Sequence, residues 1–98
     1  MEVRWTPRAR RTYFKVLDHL EKAWTEKEIR NFISEVDTLL EQIKQNPEMF
    51  EESRKKRYVR KGFVTKHNFL FYRIRPRKKE LQLLLFWDNR DDPGKLPY

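Results

Sequence analysis

Phe69-Leu70-Phe71-Tyr72-Arg73-Ile74-Arg75, then Pro76-Arg77-Lys78-Lys79, then Glu80-Leu81-Gln82-Leu83-Leu84-Leu85-Phe86-Trp87, is the stretch whose reading decides the fold. The first segment combines aromatic and β-branched residues with a polar–apolar alternation at its end, the mark of a strand. Pro76 to Lys79 reads as a turn, and the run from Glu80 to Trp87 as a second strand. Its apolar side chains fall on both sides of the pleat, so it is expected to lie centrally, covered on both faces. Upstream, Tyr58-Val59-Arg60 and Phe63 to Lys66 read as strand, with Gly62 a turn or bulge between them.

Working toward the N-terminus, the period changes. Beyond Asn46-Pro47, which stops a helix, Ile29, Phe32, Ile33, Val36, Leu39, Leu40 and Ile43 form one stripe at helical spacing. Thr25-Glu26-Lys27-Glu28 opens that helix as a capping box. An earlier helix begins at Thr6-Pro7 and runs to about Lys22, with Ala9, Tyr13, Val16, Leu17 and Leu20 inward. Ala23 and Trp24 alone separate the two helices, which favours an antiparallel hairpin. Glu2-Val3-Arg4-Trp5 alternates as a short strand that must pair with a distant one, expected to be the last. The order β-α-α-β-β-β predicts an α+β fold, a helical hairpin packed on a mostly antiparallel four-stranded sheet, in one domain spanning residues 1–98.

Composition sets further bounds. With 38% hydrophobic and 14% aromatic residues the chain is read as globular. The absence of cysteine excludes disulfides and thiolate metal sites. Met1 to Arg11 lacks the apolar run of a signal peptide, and no stretch approaches the roughly 20 apolar residues of a membrane helix. The expected location is the cytoplasm, with no membrane partner. The net charge is +8, and residues 54–79 hold twelve Lys and Arg with no Asp or Glu, while residues 25–53 hold eight acids against three bases. So lopsided a distribution points to a polyanion, with an acidic protein as the competing partner.

The start Val3-Arg4-Trp5-Thr6-Pro7-Arg8-Ala9, the two amphipathic helices closed by Asn46-Pro47, the strand Phe71-Tyr72-Arg73-Ile74 with its basic turn and apolar successor, and the ending Asp88-Asn89-Arg90-Asp91-Asp92-Pro93 together resemble the RelE/ParE superfamily of toxins. The resemblance covers essentially the whole chain. It implies the toxin half of a type II toxin–antitoxin pair, held silent by a cognate antitoxin. It also implies two alternative targets: RelE-like members cleave messenger RNA on the ribosome, and ParE-like members poison DNA gyrase without nuclease chemistry. Concentration of basic residues on the strands favours the messenger-RNA reading at this stage. A non-toxic nucleic-acid-binding module on the same fold is a third reading.

RNA cleavage by the neighbouring 2′-hydroxyl needs a base, an acid and cations for the phosphorane, and it needs no metal or cofactor. The resemblance makes Arg90 a candidate phosphate ligand, the alternative being an ion pair with Asp88, Asp91 or Asp92. It makes Tyr98 a candidate C-terminal aromatic base, against a frayed terminus. Lys66 and His67 lie between strands near the basic cluster, and His67 has the side chain suited to proton transfer near neutrality. Arg57, Arg60, Lys61, Arg73 and Arg75 are candidate RNA or phosphate contacts, Arg73 and Arg75 on one face of the sheet. Where many RelE-like nucleases carry an arginine three residues before the third-strand tyrosine, this chain has Phe69, with Lys66 nearby as the substitute. His19 is read as structural. Trp24 and Trp87, large and near element ends, are read as core packing, with anchoring of the antitoxin as the alternative.

Overall fold

A computed structural model of the protein describes residues 1–23 and 25–98. Trp24, one of the two candidate antitoxin anchors, lies outside the described residues. The order is β1 (Glu2–Trp5), α1 (Pro7–Ala23), α2 (Glu26–Gln45), β2 (Val59–Phe63), β3 (Asn68–Arg75) and β4 (Glu80–Asp88), with short 3-10 turns at Pro76–Lys78 and Pro93–Lys95. One four-stranded sheet has the order β1-β4-β3-β2. β1 pairs with β4 in parallel, while β4 with β3 and β3 with β2 are antiparallel. The sheet is therefore mixed, and the first strand does pair with the last.

β4 is central and buried almost throughout, and a register shift explains its unbroken apolar run. Phe71 pairs with Leu85 but Tyr72 pairs with Leu83, so Leu84 is the extra residue of a bulge. The bulge reverses the pleat's parity. Leu81, Leu83 and Phe86 consequently all reach the helix-side core with Leu70, Tyr72 and Ile74, while Leu84 and Leu85 join Val59 and Phe71 in a second cluster on the outer face. Leu96 and Tyr98 from the C-terminal tail, together with Trp87, pack on that second cluster. Each fully buried large apolar side chain here is worth about 1.5–3 kcal/mol relative to exposure.

Two threonine hydroxyls of the first helical segment seat it on β4. Thr6 Oγ1 accepts from the Ala9 N–H at 3.0 Å, capping α1, and donates to the Leu83 carbonyl at 2.7 Å. Thr12 Oγ1 accepts from the Phe86 N–H at 2.9 Å, just past the bulge. Trp5 stacks near Phe86 at 5.7 Å and meets Tyr13 edge-on at 5.2 Å. α2 opens with the expected capping box, Thr25 N–H reaching Glu28 Oε2 at 3.2 Å, and ends with Asn46 N–H bonded to the Gln42 carbonyl.

Two expectations need correction. Gly62 is no turn or bulge but a paired position within β2, opposite Leu70. A β-carbon there would stand 3.3 Å from the side chains of Leu39 and Phe50, a tight approach that glycine avoids. Val64 to Lys66, expected as strand, belong instead to the β2–β3 connection, closed by Val64 N–H to the Asn68 carbonyl at 2.9 Å.

The link from α2 to β2 is tied down by the sheet partners Tyr72 and Arg60. Tyr72 is fully buried and its hydroxyl donates to the Pro47 carbonyl at 2.7 Å, and Arg60 donates to the carbonyls of Phe50 and Glu48. Burial pushes the Tyr72 phenol up to about 12. Its neutral form is thus favoured in the folded state. The resulting stability is complete below the ordinary phenol value near pH 10 and is lost as the pH rises toward 12. Tyr72→Phe is expected to lower stability by about 1 kcal/mol at neutral pH, a fall of roughly 4–8 °C in Tm. It should also remove much of the alkaline loss between pH 10 and 12, measured by urea midpoints across that range.

Candidate functional site

The sheet separates the candidate residues into two clefts. The first, of about 520 Å³, opens at the end of the sheet on the helix side. Lys66, His67 and Arg90 line one wall, Glu28, Asn31 and Glu35 of α2 the other, and Leu20, Phe32 and Val64 the apolar floor. The residues of the first wall come together because Asn89 binds the β2–β3 connection: its N–H donates to the His67 carbonyl at 2.8 Å and its side-chain amide to the Lys66 carbonyl at 2.6 Å. Arg90 is thereby carried beside Lys66 and His67.

Arg90 makes a two-pronged contact with Asp88, Nε to Oδ1 at 2.9 Å and a terminal nitrogen to Oδ2 at 2.6 Å. Of the three possible carboxylate partners, Asp88 is the one engaged. Hydrogen bonding from Arg90 holds the Asp88 carboxyl below its ordinary value, and the same contact raises Arg90. A guanidinium with one edge committed in this fork has fewer donors for a phosphate. The carboxylate walls also give the cleft mixed charge, so it is less cationic than the sequence run suggests.

The second cleft, of about 450 Å³, lies on the outer face of the sheet. Tyr98 and Lys61 line it, with Arg54, Lys55, Phe63 and Phe71. Tyr98 is packed against Phe71 at 5.4 Å between ring centres, in contact with the outer face of the sheet. Lys61 Nζ sits 4.4 Å from the centre of the Phe69 ring, and the Lys55 ammonium donates to the Leu96 carbonyl at 3.0 Å. The four candidate catalytic residues are therefore divided, Lys66, His67 and Arg90 in one cleft and Tyr98 in the other.

The remaining candidates also separate. Arg73 and Arg75 share the outer face as expected, but Arg75 is paired with Glu80 at 3.4 Å. Arg60, expected at phosphate, points the other way and is used by the 48–50 carbonyls. Alternation in β2 dictates this: Val59 and Lys61 face outward, so Arg60 and Gly62 face the helices. Arg57 is exposed and lies 5.1 Å over the Tyr58 ring. Trp87 is half-buried at the outer cluster. His19 is exposed and lines a groove between α1 and β4, not the core. Sequence reasoning missed Asn89, whose two bonds assemble the first cleft; its position between Asp88 and Arg90 was the available signal. Among the described residues, no group of three His, Cys, Asp or Glu is placed to hold a metal, and no helix is long and apolar enough to cross a membrane.

The fold and clefts can be set beside known proteins. Residues 3–93 match the family described as the ParE toxin of the type II toxin–antitoxin system parDE. Among solved structures, the chain is similar to a YoeB/ParE toxin from Agrobacterium tumefaciens, with 13% identity and TM-score 0.65, covering 90% of this chain and 98% of that one. It is similar also to a structure described as a chromosomal ParDE system from P. aeruginosa, with 17% identity and TM-score 0.66, covering 90% and 95%. A search of curated protein sequences gives no match. At such identities the structures establish a shared fold, and the family match over nearly the whole length establishes descent: the chain belongs to the ParE toxin family of type II toxin–antitoxin systems, within the RelE/ParE superfamily.

Proposed function

We propose that this toxin arrests growth by binding DNA gyrase, without catalysis, and that its antitoxin prevents that binding. The observation that carries the reading is the division of the candidate acid–base groups. Tyr98 lies against Phe71 on the outer face, Lys66, His67 and Arg90 lie in the helix-side cleft, and Asp88 already occupies an edge of the Arg90 guanidinium. General acid–base cleavage needs its groups within hydrogen-bond reach of one phosphate. The family match to ParE supports the same reading. Trp87 and Trp24 remain proposed antitoxin anchors.

Messenger-RNA cleavage is a second reading, favoured by one feature: Lys66, His67 and Arg90 share a cleft. In it Arg90 and Lys66 hold the phosphate, with His67 moving the proton and Arg57, Lys61, Arg73 and Arg75 contacting RNA. The two readings part in a pulse-labelling experiment after induction. Gyrase poisoning predicts DNA damage and filamentation while peptide synthesis continues, and inhibition of purified gyrase supercoiling. Early arrest of protein synthesis with codon-specific cuts would replace it with the nuclease reading.

Arg90→Ala provides a second separation. Loss of an exposed ion pair costs about 0–1 kcal/mol, so the variant should fold. Under the binding reading it is expected to retain most of its toxicity, within a few-fold of the parent by colony count. Complete loss of toxicity with unchanged Tm would assign Arg90 to the chemistry.

A further inference from the structure

Among the described residues, the two non-glycine positions with left-handed backbone are Tyr58, at φ 66°, and Lys79, at φ 51°. Each directly precedes a strand, Val59 of β2 and Glu80 of β4. Side chains with a β-carbon are disfavoured in this region, and glycine would relieve the cost. Both residues are pinned there. Tyr58 N–H donates to Glu52 and its carbonyl accepts from Ile74 N–H at 3.0 Å. Lys79 N–H donates to the Pro76 carbonyl at 3.2 Å and its carbonyl accepts from Glu2 N–H at 3.1 Å. Lys79 closes the turn between β3 and β4 in this conformation, and at both positions the backbone is held by its hydrogen bonds while the side chain stays in solvent.

The same end of the sheet carries the densest charge. Val59 pairs with Arg73, so the loop Arg54-Lys55-Lys56-Arg57-Tyr58 lies beside the strand end and turn that hold Arg73, Arg75, Arg77, Lys78 and Lys79. Of these nine cations, Arg75 alone has a carboxylate partner among the described residues, Glu80 at 3.4 Å, and Glu80 is shared with Arg4 at 3.6 Å. Such clustering repels itself and contributes nothing to the core. We propose that this loop and turn form a docking site for the phosphodiester backbone of duplex DNA.

The surface chemistry selects that occupant. A protein partner would need an apolar centre to anchor on; Arg54 and Lys55 border the second cleft, where Phe71 and Tyr98 already pack on each other at 5.4 Å, and beyond that border the loop offers only Tyr58 and the 76–79 turn no large apolar side chain. Single-stranded nucleic acid would need open aromatic faces, and Arg57 already lies over the Tyr58 ring at 5.1 Å. A phosphate backbone needs cations and no apolar anchor. The choice of duplex over single strand rests on the gyrase reading, since gyrase works on duplex DNA; the toxin would hold the segment beside its target.

Binding of the purified chain to a short labelled duplex, without gyrase, followed by anisotropy over a salt series, tests the proposal. Replacing Arg77, Lys78 and Lys79 by Gln should lower the slope of log affinity against log salt by roughly 2.7, about 0.9 for each phosphate left without its cation. Replacing Arg8, Arg10 and Arg11 on α1 by Gln removes the same formal charge and should leave the slope nearly unchanged. Lys79→Gly should keep or raise Tm while weakening DNA binding several-fold, a result that misfolding cannot give. Equal falls in slope in the two triple variants, no duplex binding at low salt, or tighter binding of a single-stranded RNA of the same length would each overturn the site. Failure of gyrase inhibition with duplex binding intact would sink the target and leave the site standing.

Discussion

The fold turns on a central strand that must be dry on both faces. The middle of β4 is covered on both sides: α1 and α2 pack over Leu81, Leu83 and Phe86, while the C-terminal tail packs over Leu84 and Leu85. A regular strand of this sequence would send Leu83 and Phe86 to opposite faces. The bulge at Leu84 brings both to the helix side, and Phe86, Tyr13, Phe32 and Trp5 then form one aromatic cluster. A bulge disturbs the ladder, and Phe86 N–H is taken up by the Thr12 hydroxyl at 2.9 Å. The hydroxyls of Thr6 and Thr12 thus link helix position to strand irregularity. They act beside the apolar stripe of α1, whose Leu20 also contributes to the floor of the first cleft.

Most of this is legible from residue order. Period and caps mark the two helices, and the doubly apolar run marks a central last strand. The bulge is hidden because Leu83, Leu84 and Leu85 look alike, so the sequence carries no marker of a change in parity. Gly62 misleads because glycine in a strand pattern commonly signals a bulge, while here the pressure comes from Leu39 and Phe50, which are distant in sequence. The tail resembles a frayed end for a similar reason. Its order comes from Phe71 and the outer cluster, which a linear reading counts as strand interior.

The candidate site is legible residue by residue and not as an arrangement. Lys66 and His67 are neighbours in the chain, and the structure adds Arg90 through the two bonds of Asn89. Arg60 and Lys61 look equivalent as adjacent cations, yet strand alternation sends Lys61 to the aromatic outer face and Arg60 to the carbonyls of the 48–50 link. Charge runs overstate a cationic surface in this way, since neighbours on a strand point to opposite sides. What survives as a cluster is the sheet end at residues 54–58 and 76–79, where a loop and a turn release the residues from that alternation, beside Arg73 on the outer face of β3.

The proposed binding mode asks less of this geometry than the nuclease reading does. A strand's successive side chains leave opposite faces of a sheet, so a phosphate seated against Tyr98 on the outer face is screened by β3 and β4 from groups on the helix side. Bringing Arg90 across would require breaking its fork to Asp88 and the Asn89 bonds that position it. A binding toxin requires no such rearrangement. Its demands are a rigid scaffold and exposed contacts, and the doubly covered β4 with cationic loops at its end supplies both. An antitoxin faces the complementary task, since covering either cleft or the charged end would suffice to obstruct a target approaching from that side. On the proposed binding reading, the β4 core holds the fold of this chain, and the loops outside the core are the segments left to carry contacts to a target.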